Sequence, residues 1–599
     1  MRSTKKLSMK QCSYHHNIIF LINIFLLVLS ILAIFKSIFI SFDIDEGYAI
    51  AQSYRLIVGD RLFAEMWEPH QLSAFFSGIL MLPYLMITGG DTTGIIIYLR
   101  ILGTLIHLLI GIWFYQLSKK QFNTTVSLLI SLIHINFLPK WLSIPEFEIM
   151  HYWSMCIIFL SLLSWKEQQK NFMYLVLSSV ALFVAVTCYP TMLLLYPVYV
   201  TAIWHFSNEG SSAKWRSIFW FTLPALLLGL TFIGYLLSYL SPSEFLENIS
   251  YILMDESHSN TLSYRCGEYL KEIIFFAIPS GIYLAISLLI GILLKRVLSS
   301  KGKISRHFSE LMLPTILLLS ISFLSIAQLI SSVLGDTNQF YLYCRFFVIA
   351  MLGIICAPLA KKENAPYLFL GIVPGILSVI ASAAITNMTL GIALARIYIA
   401  VMASCFISAN LLQKKFQKER VLHFLVYASA ILFLMSLLMS KLLLVRVTGC
   451  IPISVKMHTE TVTDGPAAGL LLKEELAQAY NENTAFIKAN ITKEDSVLYF
   501  GCENIYYLIG NADIATPSTQ GTASFNEMYL TYYEELSEKM PNVVIIDKSF
   551  GTDPYYYYSE QNHIVLEWIE KEFENATVVE TDRLILLRLP SQKKDELIH

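Results

Sequence analysis

The sequence predicts an α-helical polytopic membrane protein with a small α/β domain at its C-terminal end. Three observations carry that expectation. Apolar runs of about twenty residues recur through 1–445, the length at which a helix spans a bilayer while satisfying its own backbone. Charged residues make up only 15% of the chain and hydrophobic ones 55%, whereas soluble domains carry about a quarter charged residues. The deficit is confined to 1–445; residues 446–599 have the mixed composition of a soluble domain. The formal net charge of −2 argues against nucleic acid as a partner. The 9 cysteines show neither a CxxC pair nor a metal-ligand spacing, so no disulfide framework or zinc motif is expected.

The first apolar run, 18–41, follows Arg2, Lys5, Lys6 and Lys10. It is too long for a secretory signal and reads as an uncleaved first span. Further spans are expected at 93–117, 124–139, 149–165, 172–188, 189–206, 216–239, 271–295, 308–333, 344–360, 366–386, 389–411 and 421–445. Basic clusters fall in alternate loops: Lys119/Lys120, Lys166/Lys170, Lys214/Arg216, Lys295/Arg296/Lys301/Lys303/Arg306, Lys361/Lys362 and Lys414/Lys415/Lys418/Arg420. Such clusters mark the cytoplasmic side. All of them share that side with the N-terminus if 72–88 does not cross. That stretch is short, contains Gly78 and Pro83, ends at Gly89-Gly90, and reads as an interfacial or re-entrant helix. The thirteen spans then place the N-terminus inside and residues 446–599 outside, with outer loops at 42–92, 140–148, 240–270 and 334–343.

In the tail, after a linker near 446–466, helices at 467–490, 522–539 and 560–574 alternate with strands at Ser496–Phe500, Val543–Asp547 and 583–589, the strands rich in Val, Ile, Leu and aromatics. With no Gly-rich phosphate loop and no nucleophile elbow, the tail reads as a binding or structural lid.

The residues that can carry chemistry gather in the first outer loop. Phe42-Asp43-Ile44-Asp45-Glu46-Gly47 sets three carboxylates within four positions beside the end of a membrane helix. Such a cluster is tolerated where a cation, a basic substrate or a proton-transfer role compensates it. Alternatively, Asp45 caps a helix beginning at Glu46, both acids favoured by the helix dipole. Gly59-Asp60 and Glu68-Pro69-His70 follow. At the outer end of the span 344–360, Arg345 lies among Tyr341 and Tyr343. Its planar fork can bind a lipid phosphate, or it can serve as an interfacial anchor.

The succession Asp-Glu, aromatic-Ala, Gly-Asp and then acid-Pro before an apolar interfacial helix resembles the GT-C glycosyltransferases. Within them it is most similar to the protein O-mannosyltransferases and the aminoarabinose transferases of lipid A. At residue level the resemblance covers mainly 43–71; in architecture it extends along the chain. It implies transfer of a sugar from a polyprenyl-phosphate-sugar donor, with inversion, to a glycan, lipid or protein acceptor of the cell envelope. The place implied is the extracytoplasmic face of a bacterial cytoplasmic membrane. On that pattern Asp45 is the general base, Glu46 supports it, and Glu68 resembles the family's metal-ligand glutamate, with His70 a possible companion or simply polar lining. The chemistry itself asks for such groups: a carboxylate takes the acceptor's proton, and a divalent metal ion or an arginine stabilises the departing phosphate. The family carries an Asp near the second outer loop. Here the candidates are Glu148 first and Glu146 second, either of which could instead serve the dipole of the helix that follows. By the same resemblance His258, in Asp255-Glu256-Ser257-His258, is a candidate second metal ligand, or part of a solvated loop.

The competing class is a transporter or flippase of lipid-linked sugars. It would place its ionisable groups near the bilayer midplane, on broken helices in matched halves. The acids here sit in loops at one face, and no half-to-half symmetry is visible. The enzyme reading is therefore preferred.

Overall fold

The computed structural model describes residues 2–138, 141–168, 171–207, 210–253, 262–300, 308–335, 340–384, 393–414, 420–446, 452–501, 503–520, 525–548 and 560–590. The chain begins with α1 (Arg2–Phe39), whose apolar half leaves Phe20, Leu21, Phe25 and Phe35 exposed. There follow α2 (Ile44–Val58), α3 (Gln71–Thr88), α4 (Ile95–Lys119), α5 (Thr124–Asn136), α6 (Phe147–Glu167), α7 (Met173–Cys188), α8 (Tyr196–Phe206), α9 (Ser211–Leu236), α10 (Pro242–Ile252) and α11 (Leu262–Ser300). The bundle closes with α12 (Phe308–Leu334), α13 (Phe340–Cys356), α14 (Lys361–Tyr367), α15 (Val373–Ala383), α16 (Tyr398–Lys414) and α17 (Arg420–Leu443).

Among the described residues, 8 helices are long and apolar enough to cross a membrane, and α5, α7 and α16 are shorter apolar helices. The architecture is that of a helical polytopic membrane protein. The expected spans 344–360 and 366–386 stay distinct: Ala360 leaves the helical conformation (φ −143°, ψ 67°), and Gly353 packs against Ile372, so the chain turns back between them. A 3-10 turn at Ala357–Ala360 opens the reversal, and a π-turn occupies Leu368–Ile372. The expected span at 189–206 opens with a 3-10 turn, Pro190–Leu195, before α8, because Pro190 and Pro197 remove two donors from the ladder. Helix α3 is also long and apolar enough to cross; its reading as an interfacial helix rests on loop charge and on Gly78, Pro83 and the Gly89-Gly90 end.

Helix α6 is the axis of the bundle: Phe147 to Trp165 is buried on almost every side, against α7, α4 and α16. A helix apolar all round belongs inside the bundle rather than on its surface.

Helix α17 runs directly into β1 (Leu444–Arg446), which pairs antiparallel with β2 (Pro452–Ser454); β3 (Glu460–Thr461) pairs likewise with β4 (Leu471–Leu472). The C-terminal sheet contains β5 (Ser496–Phe500), β6 (Asp513–Ile514), β7 (Val543–Asp547), β8 (Thr577–Glu580) and β9 (Leu584–Arg588) in the order β6-β5-β7-β9-β8. Strands β6, β5 and β7 are parallel, and β9 is antiparallel to β7 and β8. Helices α18 (Glu474–Asn490), α19 (Met528–Glu535) and α20 (Glu560–Glu572) accompany it. The α/β tail predicted from strand composition is thus present.

The tail is not tethered loosely. Ile50, Tyr54, Met81, Ile95 and Leu99 share one core with Leu470, Ile505 and Leu508. Backbone bonds stitch the joint: Ser41 N–H to Leu471 O (2.9 Å), Trp67 N–H to Pro517 O (2.8 Å) and Gly94 N–H to Gly465 O (3.0 Å).

Candidate functional site

The acidic start of α2 divides into three roles. Asp43 is the N-cap: its carboxylate accepts from Asp45 N–H at 3.0 Å, and Glu46 at N3 completes a capping box. The helix therefore begins at Ile44, two residues before the alternative considered from sequence, and its cap is Asp43 rather than Asp45. Glu46 is buried and takes a bidentate pair from Arg100, Nε to Oε1 and Nη2 to Oε2, both at 2.6 Å. Arg100 also donates to the carbonyls of Ile38 (3.1 Å) and Ser41 (2.9 Å), closing the end of α1. A guanidinium within an apolar helix is thereby satisfied. The Glu46 carboxylate is held as a strut, while Asp45 is half-buried.

Asp45 shares a helix face with Tyr48, Ala49 and Gln52. The Tyr48 hydroxyl donates to the Pro69 carbonyl at 2.6 Å, and the Gln52 amide reaches the same oxygen at 2.7 Å. Next along, His70 has φ +61°, a left-handed conformation costing about 1–3 kcal/mol for a side chain of this kind. Its ring lies flat on Phe147, centroids 3.9 Å apart, edge-on to Tyr189, with Nδ1 3.3 Å from the Cys188 carbonyl.

Beyond His70 lies a buried polar cluster. Glu148 Oε1 is 3.5 Å from Arg396 Nη1. Arg396 donates through Nη2 to the Tyr189 hydroxyl at 2.5 Å and lies over that ring. His151, one turn after Glu148, has Nδ1 3.0 Å from the Tyr398 hydroxyl and Nε2 3.3 Å from Ser378 Oγ. Glu146, at the N-cap position of α6, is buried beside this group. Sequence reasoning missed Arg396, His151, Tyr189 and Tyr398. The available signal was an arginine and a histidine inside apolar spans, which are costly unless they have a task.

Glu68 stands elsewhere. It is fully buried; Oε1 accepts from Arg55 Nη1 at 3.1 Å, and Oε2 accepts from the Thr519 N–H and hydroxyl, both at 2.8 Å. Arg55 also donates to Asp60 Oδ2 (2.7 Å), Glu65 O (2.9 Å) and Thr516 O (2.8 Å). Lys539 joins from the tail, 2.6 Å from Asp60 Oδ1. Burial pushes the Glu68 carboxyl upward, and Arg55 with the two Thr519 donors opposes it. This is a lock between the first loop and the tail.

The implied metal ion does not fit the donor set present. A dication at Glu68 would face the Arg55 guanidinium, and among the described residues no three His, Cys, Asp or Glu side chains converge to hold one. The proposed second ligand, His258, lies outside the described residues, as do Asp255, Glu256 and Ser257.

Arg345 is buried rather than interfacial. It donates to Ser436 Oγ of α17 and lies over Phe433 and Phe346, 5.4 and 5.9 Å from their centroids. Beneath Phe433 lies an apolar cavity of about 80 Å³ lined by Ile130, Leu318, Ile321, Ile349 and Leu352.

No protein-family model matches the chain, and neither does any curated protein. Solved structures similar to it include the oligosaccharyltransferase AglB of Archaeoglobus fulgidus, in complex with an inhibitory peptide and a dolichol-phosphate. That likeness has 10% identity and a TM-score of 0.40, over 88% of this chain and 69% of that one. ArnT of Cupriavidus metallidurans is similar in its apo state at 11% identity and a TM-score of 0.40, over 94% of this chain and 97% of that one. Bound to undecaprenyl phosphate, it is similar at 12% identity and 0.39, over 96% and 98%.

Proposed function

We propose that the chain is a membrane glycosyltransferase that moves a sugar, with inversion, from a polyprenyl-phosphate-linked donor to a glycan, lipid or protein acceptor of the cell envelope. The observation that carries the reading is the division of labour at the start of α2. Capping falls to Asp43 and docking to Glu46. Asp45 is half-buried on the face that leads through Tyr48, Gln52 and Pro69 to His70 and the Glu148–Arg396 pair.

In this reading Asp45 takes the proton of the acceptor hydroxyl as it attacks the anomeric carbon. Arg396, steadied by Glu148 and Tyr189, supplies the fixed positive charge for the departing phosphate. Arg345, packed over Phe433 beside the apolar cavity, is assigned the phosphate end of the lipid carrier. No step is assigned to a metal. The loop-charge pattern supports placing the N-terminus in the cytoplasm and the tail outside, and the family resemblance supports a bacterial cytoplasmic membrane.

The test is transfer of radiolabelled sugar from polyprenyl-phosphate donors in membranes, comparing the native chain with Asp45→Asn. Loss of a positioned general base costs about 10²–10⁴-fold, and that is the expected drop in a well-expressed variant. Equal transfer by both would remove Asp45 as the base. No transfer from any donor would favour a transporter of lipid-linked sugars.

A further inference from the structure

A second cavity, of about 380 Å³, lies between the end of α1 and the C-terminal domain. It is separate from the Glu148–Arg396 cluster and shares no lining residue with it. Its walls include Tyr480, Tyr506, Asn483, Glu503, Asp547 and His458. Tyr480 and Tyr506 lie nearly parallel, centroids 5.5 Å apart, and the Asn483 amide donates to the Tyr506 hydroxyl at 3.0 Å, so that wall is preformed.

Two groups facing the cavity are at odds with their surroundings. His458 is only 7% exposed, and neither ring nitrogen makes a hydrogen bond of ordinary geometry. The carbonyls of Ser454 and Val455 lie near the ring, while burial and the cations of Lys36 and Lys473 push it down to about 4, so it is neutral and offers one donor and one acceptor. Glu503 is the opposite case. The charges acting on it are the carboxylates of Asp547 and Asp43, and with burial they push it up to about 7. Asp547 already accepts from the Tyr499 hydroxyl at 2.8 Å. The cations at the rim are engaged: Lys548 with Glu580 at 3.0 Å and Arg583 with Glu482 at 3.5 Å.

A buried polar group without a partner, as the His458 ring is, costs free energy that a ligand can recover, and Glu503 stands partly exposed on the same wall. The ligand must donate to Glu503, and both donate to and accept from His458, across a cavity with an aromatic wall. A lipid chain offers no such groups. A metal ion would need His458, Glu503 and Asp547 to converge, and among the described residues no such trio does. A polyhydroxylated ring meets all the requirements. We propose that this cavity binds a saccharide unit, with Glu503 and His458 as its polar anchors and the Tyr480–Tyr506 pair as its platform. The inference does not depend on the transfer reading, because a chain that transfers nothing could still hold a sugar here.

The experiment is saturation-transfer NMR on the full-length protein in lauryldimethylamine oxide micelles, which carry no sugar. Glucosamine and methyl α-glucoside are the probes, at millimolar concentration. Transfer to the ring protons of at least one probe is expected in the native protein, falling fivefold or more in Glu503→Ala and in His458→Ala. Thermal unfolding no earlier than that of the native protein certifies each variant. Where His458→Ala melts early, the near-isosteric His458→Gln takes its place. No transfer to either probe, or transfer that either variant retains, overturns the proposal.

Discussion

Replacing Glu68 by Gln decides between a lock and a ligand. Both carboxylate oxygens accept hydrogen bonds, one from Arg55 at 3.1 Å and one from the two donors of Thr519 at 2.8 Å. Gln has one acceptor oxygen and one NH2. With its oxygen turned towards Thr519, it sets the amide NH2 against the Arg55 guanidinium; with its oxygen turned towards Arg55, it strands the Thr519 N–H in a buried site. A hydrogen bond to a charged group contributes about 1.5–3 kcal/mol, and a stranded buried donor costs about 1–3 kcal/mol. Arg55 keeps Asp60 and two carbonyls, so the loss stays near the lower half of the combined range, about 3 kcal/mol. At about 1.4 kcal/mol per factor of ten, opening of the joint between loop 59–70 and residues 516–519 becomes roughly a hundredfold more frequent. Amide hydrogen exchange reads such local opening directly. The expected result is exchange about a hundredfold faster at Thr519 and at Trp67, whose N–H bonds Pro517 O, with α6 unchanged. Native protection in Glu68→Gln, accompanied by loss of a bound divalent ion, would refute the reasoning and return Glu68 to the role of metal ligand.

Other expectations follow from single contacts. Glu503 has a folded pKa raised to about 7 from 4.5, so its contribution is fully present below about pH 4.5 and lost as pH rises through 7. At about 1.4 kcal/mol per unit the loss reaches about 3 kcal/mol, less whatever water in the cavity screens. Glu503→Gln should therefore unfold at higher temperature than the native chain at pH 8 and equally at pH 4.5, and an equal gain at both would contradict the assignment. His458, lowered to about 4 from 6.5, works in the opposite direction. Its contribution is present above pH 6.5 and lost as pH falls through 4, so His458→Gln should flatten the acid side of the same profile. Arg100→Leu leaves Glu46 buried without its cation and should cost about 3–5 kcal/mol in detergent unfolding, most of it restored by adding Glu46→Leu. Gly103→Ala would set a Cβ into the Ser143 carbonyl. An overpacking cost of about 1–3 kcal/mol is expected, together with reduced transfer as the loop before α6 is displaced.

Why some of this was legible in the sequence and some was not follows from the range of the interactions. Spans and strands are local: a run such as Ser496–Phe500 is buried at every position, and its composition says so. The cap of α2 is local too. Asp43 followed three residues later by Glu46 is the capping-box spacing, and attention to it would have placed the start at Ile44 rather than after Asp45. Arg396 and His151 could be flagged as ionisable groups in apolar helices, but the packing of α6 against α16 and the turns before it decides that they meet. Glu68 lay beyond reach, since Thr519 closes over it from 451 residues away. The three acids of the first loop make the physical point together. Asp45, Glu46 and Glu68 are equivalent as letters in a motif. A guanidinium from another helix makes Glu46 a strut, and an amide from another domain makes Glu68 a latch. What distinguishes Asp45 is that its two neighbours already perform the structural tasks. Loss of transfer in Asp45→Asn with unchanged unfolding, set against lost stability in Glu46→Gln, would therefore test the division of labour itself.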